Sequence, residues 1–481
     1  MNNMYLGIGI VVVLCAIMLA IGFLVSKRNK TTADYYVGSR SIGSLVTICT
    51  ACATFVGGGM TLGWIGNGAI RGISSIWYGL PQALGFIFIA KTMTKPLRKA
   101  GTNFLSLPDW FESLYHNKAL NIVIAIVCLV VPITWVTAQT TAAARMLEGI
   151  GVPYLVGVCV IGGVVLLYST FGGYLAVVYT DTVQWLCLLA IYFCTIPFAF
   201  IHAGGVSATW QVLPDTMRNL FVVPNMPKAT PFLWLINGIV AGMGLQTTFQ
   251  RIYSAKTDRI ANQGLYWSAG ATAFFSILAA LVGMCVFKLG VPADIGSDSV
   301  WPWYLSNYMP SWVTVLYTVL IMMATMSTAD SMLNSISLSV AHDIYHRYIN
   351  PKADDKKVLK VGIIVSGLFG IVALYWATAG AWMLKIFGYS YTLGAGPLAG
   401  ATITAALLRK KGNSKALIAG VILGAIVGFI STQVPALKDV PAGGTVFSFG
   451  ASILISMLGS ALFKADNGPD EDLVAADAKQ A

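Results

Sequence analysis

Charge is what this sequence has least of. Only 10% of its 481 residues are Asp, Glu, Lys or Arg, against roughly 25% in an ordinary soluble domain. A chain this poor in charge cannot dress a folded surface for water, which excludes a soluble enzyme or a soluble binding module. Acid is scarcer than base: 19 Asp and Glu stand against 30 Lys and Arg, for a formal net charge of +11. Histidine occurs four times, and of the eight cysteines only Cys49 and Cys52 stand in a CxxC spacing, inside an apolar run and with no second such pair, so the paired-CxxC zinc signature is missing. Cys15, Cys49, Cys52, Cys128, Cys159, Cys187, Cys194 and Cys285 all fall inside apolar runs and read as small core residues. The opening "MNNMYLG" has no basic residue, and "SKRNK" rather than a small-residue cleavage site follows the first apolar run. That run should stay on as a helix instead of leaving as a signal peptide.

What the chain does have is oil. Hydrophobic residues make up 57% of it, with a mean hydropathy of +0.74. Runs of about 20 residues, enough to cross a bilayer, recur from end to end. Thirteen spans can be placed, among them 43–70, 73–92, 153–169, 174–201, 231–250, 311–345 and 382–408. The expectation is an all-α integral membrane protein: one transmembrane domain over 1–463, with halves at 43–201 and 231–408, and a disordered tail over 464–481. The loops after spans one, three, seven, nine and eleven hold 21 of the 30 basic residues. Since cytoplasmic loops carry the excess of Lys and Arg, the N-terminus is expected outside and the C-terminus in the cytoplasm of a multi-pass plasma (inner) membrane protein. The net positive charge then reflects topology and contact with anionic membrane lipid, not nucleic acid.

Polar groups inside a span are expensive and mark function by default. In "MMATMSTADSMLNS", residues 322–335, Ala324, Ser327, Thr328, Ser331 and Ser335 lie within about 100° of one another on a helical wheel. A lone Ser or Thr could bond the carbonyl one turn back. Four on one stripe, with Asp330 beside them, favour coordination of a hard cation such as Na+, which takes neutral oxygens readily (by analogy with other hard cations).

A partner for that stripe must expose backbone carbonyls, which a bilayer tolerates only where they line a cavity. "ATFVGGGMTLGWIGNG", residues 53–68, puts Gly57, Gly58 and Gly59 mid-membrane, where they should break the helix. Weaker echoes are "GIVAGMGLQ" at 238–246 and "GYSYTLGAGPLAG" at 388–400. A glycine-interrupted helix opening each of two five-span halves is the pattern of an inverted-repeat transporter with a midplane site, although glycine also serves close helix packing. Asp181, in "FGGYLAVVYTDTVQ" (171–184), needs a cation, a proton or an Arg if it lies in the membrane. At an interface, the helix dipole alone would suit it.

These residues resemble the sodium:solute symporter family over nearly the whole chain. The resemblance rests on "ADYYVGSRSIG" (33–43), "FLSLPDWFES" (104–113), "STFGGYLAVVYTDTVQ" (169–184), "FQRIYSAK" (249–256) and "ATMSTADSMLNSISLSVAHDIY" (324–345). It implies a leucine-transporter-type core of ten helices, with one helix before it and two after. It also implies a sodium held by carbonyls of Ala53, Val56 and Ala324 and hydroxyls of Ser327 and Thr328. Some members hold a second sodium, and the matching positions here are Asp181, Ser327, Asp330 and Ser331, with Asp330 standing where others carry a hydroxyl.

The broken-helix logic puts the solute among spans two, three, four, seven and eleven, which offer Gln82, Trp135, Gln139, Gln246 and Tyr391. "FVGGG", "YTDTVQWLC" and "FQRIYS" look most like the choline-transporter branch of the family, and Trp135 could form one wall of a cage for a quaternary ammonium. Leu245 stands where that branch has a Trp, so a choline-like amine, an amino acid and a carboxylate all stay open. The expected activity is sodium-coupled import of a small organic solute by alternating access, with proton coupling or a solute-sensing role as alternatives. An enzyme is not expected. "HDIYH" (342–346) resembles the zincin HExxH, but Asp343 replaces the Glu, and neither His116 nor His202 offers a convincing third ligand.

Overall fold

The structure, a computed structural model, describes residues 2–27, 29–98, 103–148, 151–378, 388–435, 437 and 440–466. Among the described residues everything regular is helical, and the one extended pairing is an isolated parallel bridge between Ile42 and Ala255. Ten helices are long and apolar enough to cross a bilayer. The pair Thr230–Met243 and Gln246–Ser254, bent by 43°, makes an eleventh if read as one span.

Tyr154–His202 runs for 49 residues, about 73 Å at about 1.5 Å per residue, more than twice the roughly 30 Å of a hydrocarbon core. Its helical dihedrals fail at Gly173, with φ 60 and ψ −165. A Cβ there would lie 2.6 Å from the Tyr35 ring, so both the backbone and the space require glycine. The kink falls at the boundary placed from sequence between the spans at 153–169 and 174–201.

The glycine-rich stretch at 53–68 does interrupt its helix. Ser44–Phe55 ends at Val56, whose backbone is non-helical, Gly57 is extended, and Gly58–Arg71 starts again. The second break comes at Gly244 and Leu245, between Met243 and Gln246. The third glycine stretch behaves differently: Tyr391–Ala395 winds as a π-helix straight into Gly396–Leu408. Part of the span expected at 382–408 lies outside the described residues.

At the centre stands Ser311–Ser337, buried at every position from Tyr317 to Ser337. It packs against Lys118–Glu148, Tyr154–His202 and Ser44–Phe55. A helix enclosed by protein all round meets no lipid, so oxygen can be carried on any face. It continues as the π-helix Leu338–Ile349. Toward the C-terminus, Ser448, Ser452 and Ser456 sit where Gly396, Gly400 and Gly420 bring backbones close, a small-residue interface of the kind membranes favour. The tail expected to be disordered from 464 is held at its start. The Asp466 carboxylate accepts from Ser414 N–H at 2.6 Å and the Lys464 carbonyl from Asn413 at 2.8 Å. Residues 467–481 lie outside the described residues.

Candidate functional site

Three groups of polar atoms meet the central helix. The first lies at the glycine break. The Ser327 hydroxyl reaches the Ala324 carbonyl at 2.9 Å and the Ala53 carbonyl at 3.3 Å. The Thr328 hydroxyl reaches the Thr54 carbonyl at 3.2 Å and the Ala324 carbonyl at 3.3 Å. Ala53, Val56, Ala324, Ser327 and Thr328 are all at most 2% exposed. The approach is close because Gly57 has no side chain: a Cβ there would stand 2.5 Å from the Thr328 hydroxyl, 3.5 Å from the Ala324 carbonyl and 3.5 Å from Gln139 Oε1. The Thr54 carbonyl joins this group unforeseen from the sequence. Two hydroxyls and three carbonyls therefore converge with no formal charge among them, a donor set suited to a hard monovalent cation.

The second group is ionic. Asp181 is wholly buried in the protein. Its Oδ2 accepts from the Thr50 hydroxyl at 2.6 Å and faces Arg251 Nη2 at 3.5 Å. The same Arg251 nitrogen donates to Ser331 Oγ at 2.7 Å, to Thr50 at 3.3 Å and to Thr54. Asp330 turns the other way, accepting from the Tyr168 hydroxyl at 2.8 Å, while Ser169 donates to its carbonyl at 3.2 Å. Asp181, Ser327, Asp330 and Ser331 are thus not gathered into one cage. Ser327 belongs to the first group, and an arginine stands between Asp181 and Ser331. Asp181 Oδ1 and Asp330 Oδ1 are buried without a hydrogen-bond partner. The sequence had marked "FQRIYSAK" as a motif but assigned Arg251 no role. An Arg seven residues after a mid-membrane glycine break was the available signal.

The third group sits at the end of the helix, where Leu107–Tyr115 meets Leu338–Ile349. Ser106 caps the shorter helix in a capping box with Asp109. Asp109 Oδ2 accepts from Leu105 N–H at 2.8 Å, and His342 Nε2 lies 3.2 Å from each Asp109 oxygen. Arg347 bonds Asp109 Oδ1, and Ser106 Oγ donates to Asp343 Oδ1 at 2.5 Å. Burial works to raise the Asp109 carboxyl, but the neighbouring His342 and Arg347 hold it down at about 2. The partner that "HDIYH" lacked among the histidines is therefore an aspartate from a different motif.

Of the solute candidates, Trp135 and Tyr391 meet edge to face with ring centroids 6.2 Å apart. Gln139 stands one turn along the same helix as Trp135 and borders the first oxygen group beside Gly57. Gln82 is buried on Gln82–Thr92, its carbonyl against Gly242, and its Nε2 has no hydrogen-bond partner. Gln246 Oε1 accepts from Leu107 N–H at 3.2 Å and faces the Cys128 thiol at 3.7 Å, while its Nε2 has no hydrogen-bond partner. Leu245, in the break itself, is buried.

The model of the sodium:solute symporter family matches residues 35–424. The osmoregulated proline transporter OpuE of Bacillus subtilis (strain 168) is 25% identical over 461 residues, covering 92% of this chain and 92% of its own. The high-affinity choline transporter 1 of Torpedo marmorata is 26% identical over 396 residues, 76% of this chain and 66% of its own. Among solved structures, a Na+-coupled sialic acid symporter in a substrate-bound outward-open state superposes with a TM-score of 0.83 at 19% identity, covering 95% of this chain and 98% of that one. MHP1, a nucleobase-cation-symport-1 family transporter, follows with a TM-score of 0.63 at 15% identity over 92% of this chain and 98% of its own. The all-helical fold is that of these transporters.

Proposed function

Because the chain belongs to the sodium:solute symporter family, we propose that it is a sodium-coupled secondary symporter importing a small, net-neutral amino compound across the plasma membrane. The observation that carries the reading is the convergence of the Ser327 and Thr328 hydroxyls with the Ala53, Thr54 and Ala324 carbonyls at a helix break. Val56, the last residue before the break, completes the ion site with its carbonyl. The ion holds the broken helix against the central one and favours the state that admits solute. Sodium and solute then share one coupling free energy. Inward movement of each charge through a membrane potential contributes about 2.3 kcal/mol per 100 mV.

Thirteen spans, ten of them in two inverted five-span halves at 43–201 and 231–408, form the carrier. The end bearing Arg98, Arg251 and Arg347 faces the cytoplasm, as the distribution of basic residues demands. The solute lies beside the ion against Trp135, Gln139 and Tyr391, with Gln82 supplying an amide donor. None of these four carries a charge, which favours a zwitterion over a lone cation or anion. The proline and choline transporters among its relatives bracket that class.

A second sodium is the companion reading, supported by the charge count in the ionic group. With both carboxylates ionised, Asp181 and Asp330 would set two negative charges against one positive on Arg251, and one oxygen of each carboxylate is unpartnered. The test is uptake into proteoliposomes of radiolabelled proline, glycine betaine and choline, each with an inward gradient of NaCl or of KCl. Concentrative uptake of a zwitterion in NaCl alone is expected; equal uptake in both salts would remove the ion site from the mechanism.

A further inference from the structure

The third polar group has no part in ion or solute binding, yet it ties together parts that alternating access must separate. The start of Leu107–Tyr115 holds the second limb of the bent pair through Leu107 N–H to Gln246 Oε1, and Asn121 of Lys118–Glu148 bonds the Pro108 carbonyl at 2.9 Å. The same few residues hold the end of the central helix through Ser106 to Asp343 and through Asp109 to His342 and Arg347. That end is wound as a π-helix over Leu338–Ile349. Such a segment is rare and recurs at functional sites.

Charge decides what this knot responds to. When both carboxylates are ionised, Asp109, Asp343 and Arg347 sum to one negative charge, and Asp343 is wholly buried with Oδ2 unpartnered. A proton on His342 brings the sum to zero, and its side chain, 15% exposed, sits 3.2 Å from Asp109 and 4.0 Å from Asp343. The ligand atoms of Asp109, His342 and Asp343 lie within 4.8 Å of one another, close enough for a metal. A dication would leave the knot at plus one beside Arg347, so the proton is the better fit.

Other groups facing His342 do not alter this balance. The His346 ring stands 6.1 Å from that of His342, and Asp355 acts on His346. Tyr253 of the bent pair and Arg40 both feel Asp109, Cys128 feels Asp343, Glu112 acts on Arg347 and Tyr348, and Lys118 lies over the Tyr348 ring.

We propose that Ser106, Asp109, His342, Asp343 and Arg347 form a proton-dependent latch on the cytoplasmic exit, shut when His342 is protonated and loosened as the cytoplasm turns alkaline. The latch rests on the symporter reading above only for the side it faces. The sign follows from the charge count: below the His342 midpoint the knot is neutral and closed, and above it two carboxylates face one guanidinium.

Cys128 reports on the latch without any solute, because its thiol lies under the knot against Gln246 and is 2% exposed. In a full-length variant keeping only Cys128, the rate of maleimide labelling is measured from pH about 5.5 to 8 beside the same variant carrying H342Q. The ratio of the two rates cancels the thiol's own pH dependence. The expected ratio is well below one at acid pH and rises about tenfold across the range, the factor that one unit of differential protonation supplies. Asp343→Asn, neutral while His342 is uncharged, should abolish the loosening at alkaline pH and keeps the idea testable if H342Q fails to fold. Identical pH profiles for parent and H342Q would overturn the latch, as would protection by added zinc that EDTA reverses. Labelling with the expected pH profile from the outer face alone would overturn the assigned orientation and leave the latch standing.

Discussion

Two polar groups share one helix and differ in what they bring with them. At Ser327 and Thr328 the neighbours are neutral carbonyls, and the Ser327–Ala53, Thr328–Thr54 and Thr328–Ala324 contacts are long, 3.2 to 3.3 Å. One turn on, Ser331 meets a guanidinium that already neutralises Asp181. The neutral group is weakly satisfied by itself and can exchange its internal contacts for an ion. The ionic group carries its own cation and is held with or without one. A buried site meant to release its ion is better built from dipoles than from fixed charges, because losing the ion then strands no buried charge.

The sharpest way to break this contrast is to remove the resident cation. Arg251→Gln leaves Asp181 buried and unpaired, and truncating one partner of a buried ion pair costs about 3–5 kcal/mol. Thermal unfolding in detergent should show a large drop that sodium does not repair. A melting temperature close to the parent's would mean that Arg251 is not what balances Asp181. Next comes Gly57→Ala, which drives a methyl to 2.5 Å from the Thr328 hydroxyl. Overpacking of this kind costs about 1–3 kcal/mol, and the variant should lose stabilisation by NaCl relative to KCl while still folding. The smallest effect on stability belongs to Ser327→Ala and Thr328→Ala, about 1 kcal/mol each. Each should nevertheless raise the sodium concentration for half-maximal uptake about tenfold, the equivalent of about 1.4 kcal/mol of ion binding. An unchanged sodium titration in both would separate the neutral group from the ion.

Much of the fold was legible because membrane residence is written in local composition. The glycine break at 57 and the bend before Gln246 were both visible, since three glycines in a row, or Gly-x-Gly followed by a polar run, weaken a helix wherever it sits. The stretch at 388–400 misled by the same logic: packed against its neighbours it kept helical winding through a π turn. Gln246, read as a solute ligand because it follows a break, has its Oε1 held by Leu107 N–H, a contact across 139 residues that no local spacing announces. The Ser327 and Thr328 stripe was readable because its spacing is a property of one helix.

By itself the sequence determined that the chain lives in a bilayer, that one helix carries a stripe of hydroxyls there, and where another must break. These follow from interactions within about one helical turn, which the order of residues dictates directly. Only the tertiary structure decided that Arg251 meets Asp181 across 70 residues and that Ser106 meets Asp343 across 237. A buried charge needs some partner, but which one it finds depends on how the helices pack, and the order of residues along the chain does not carry that choice.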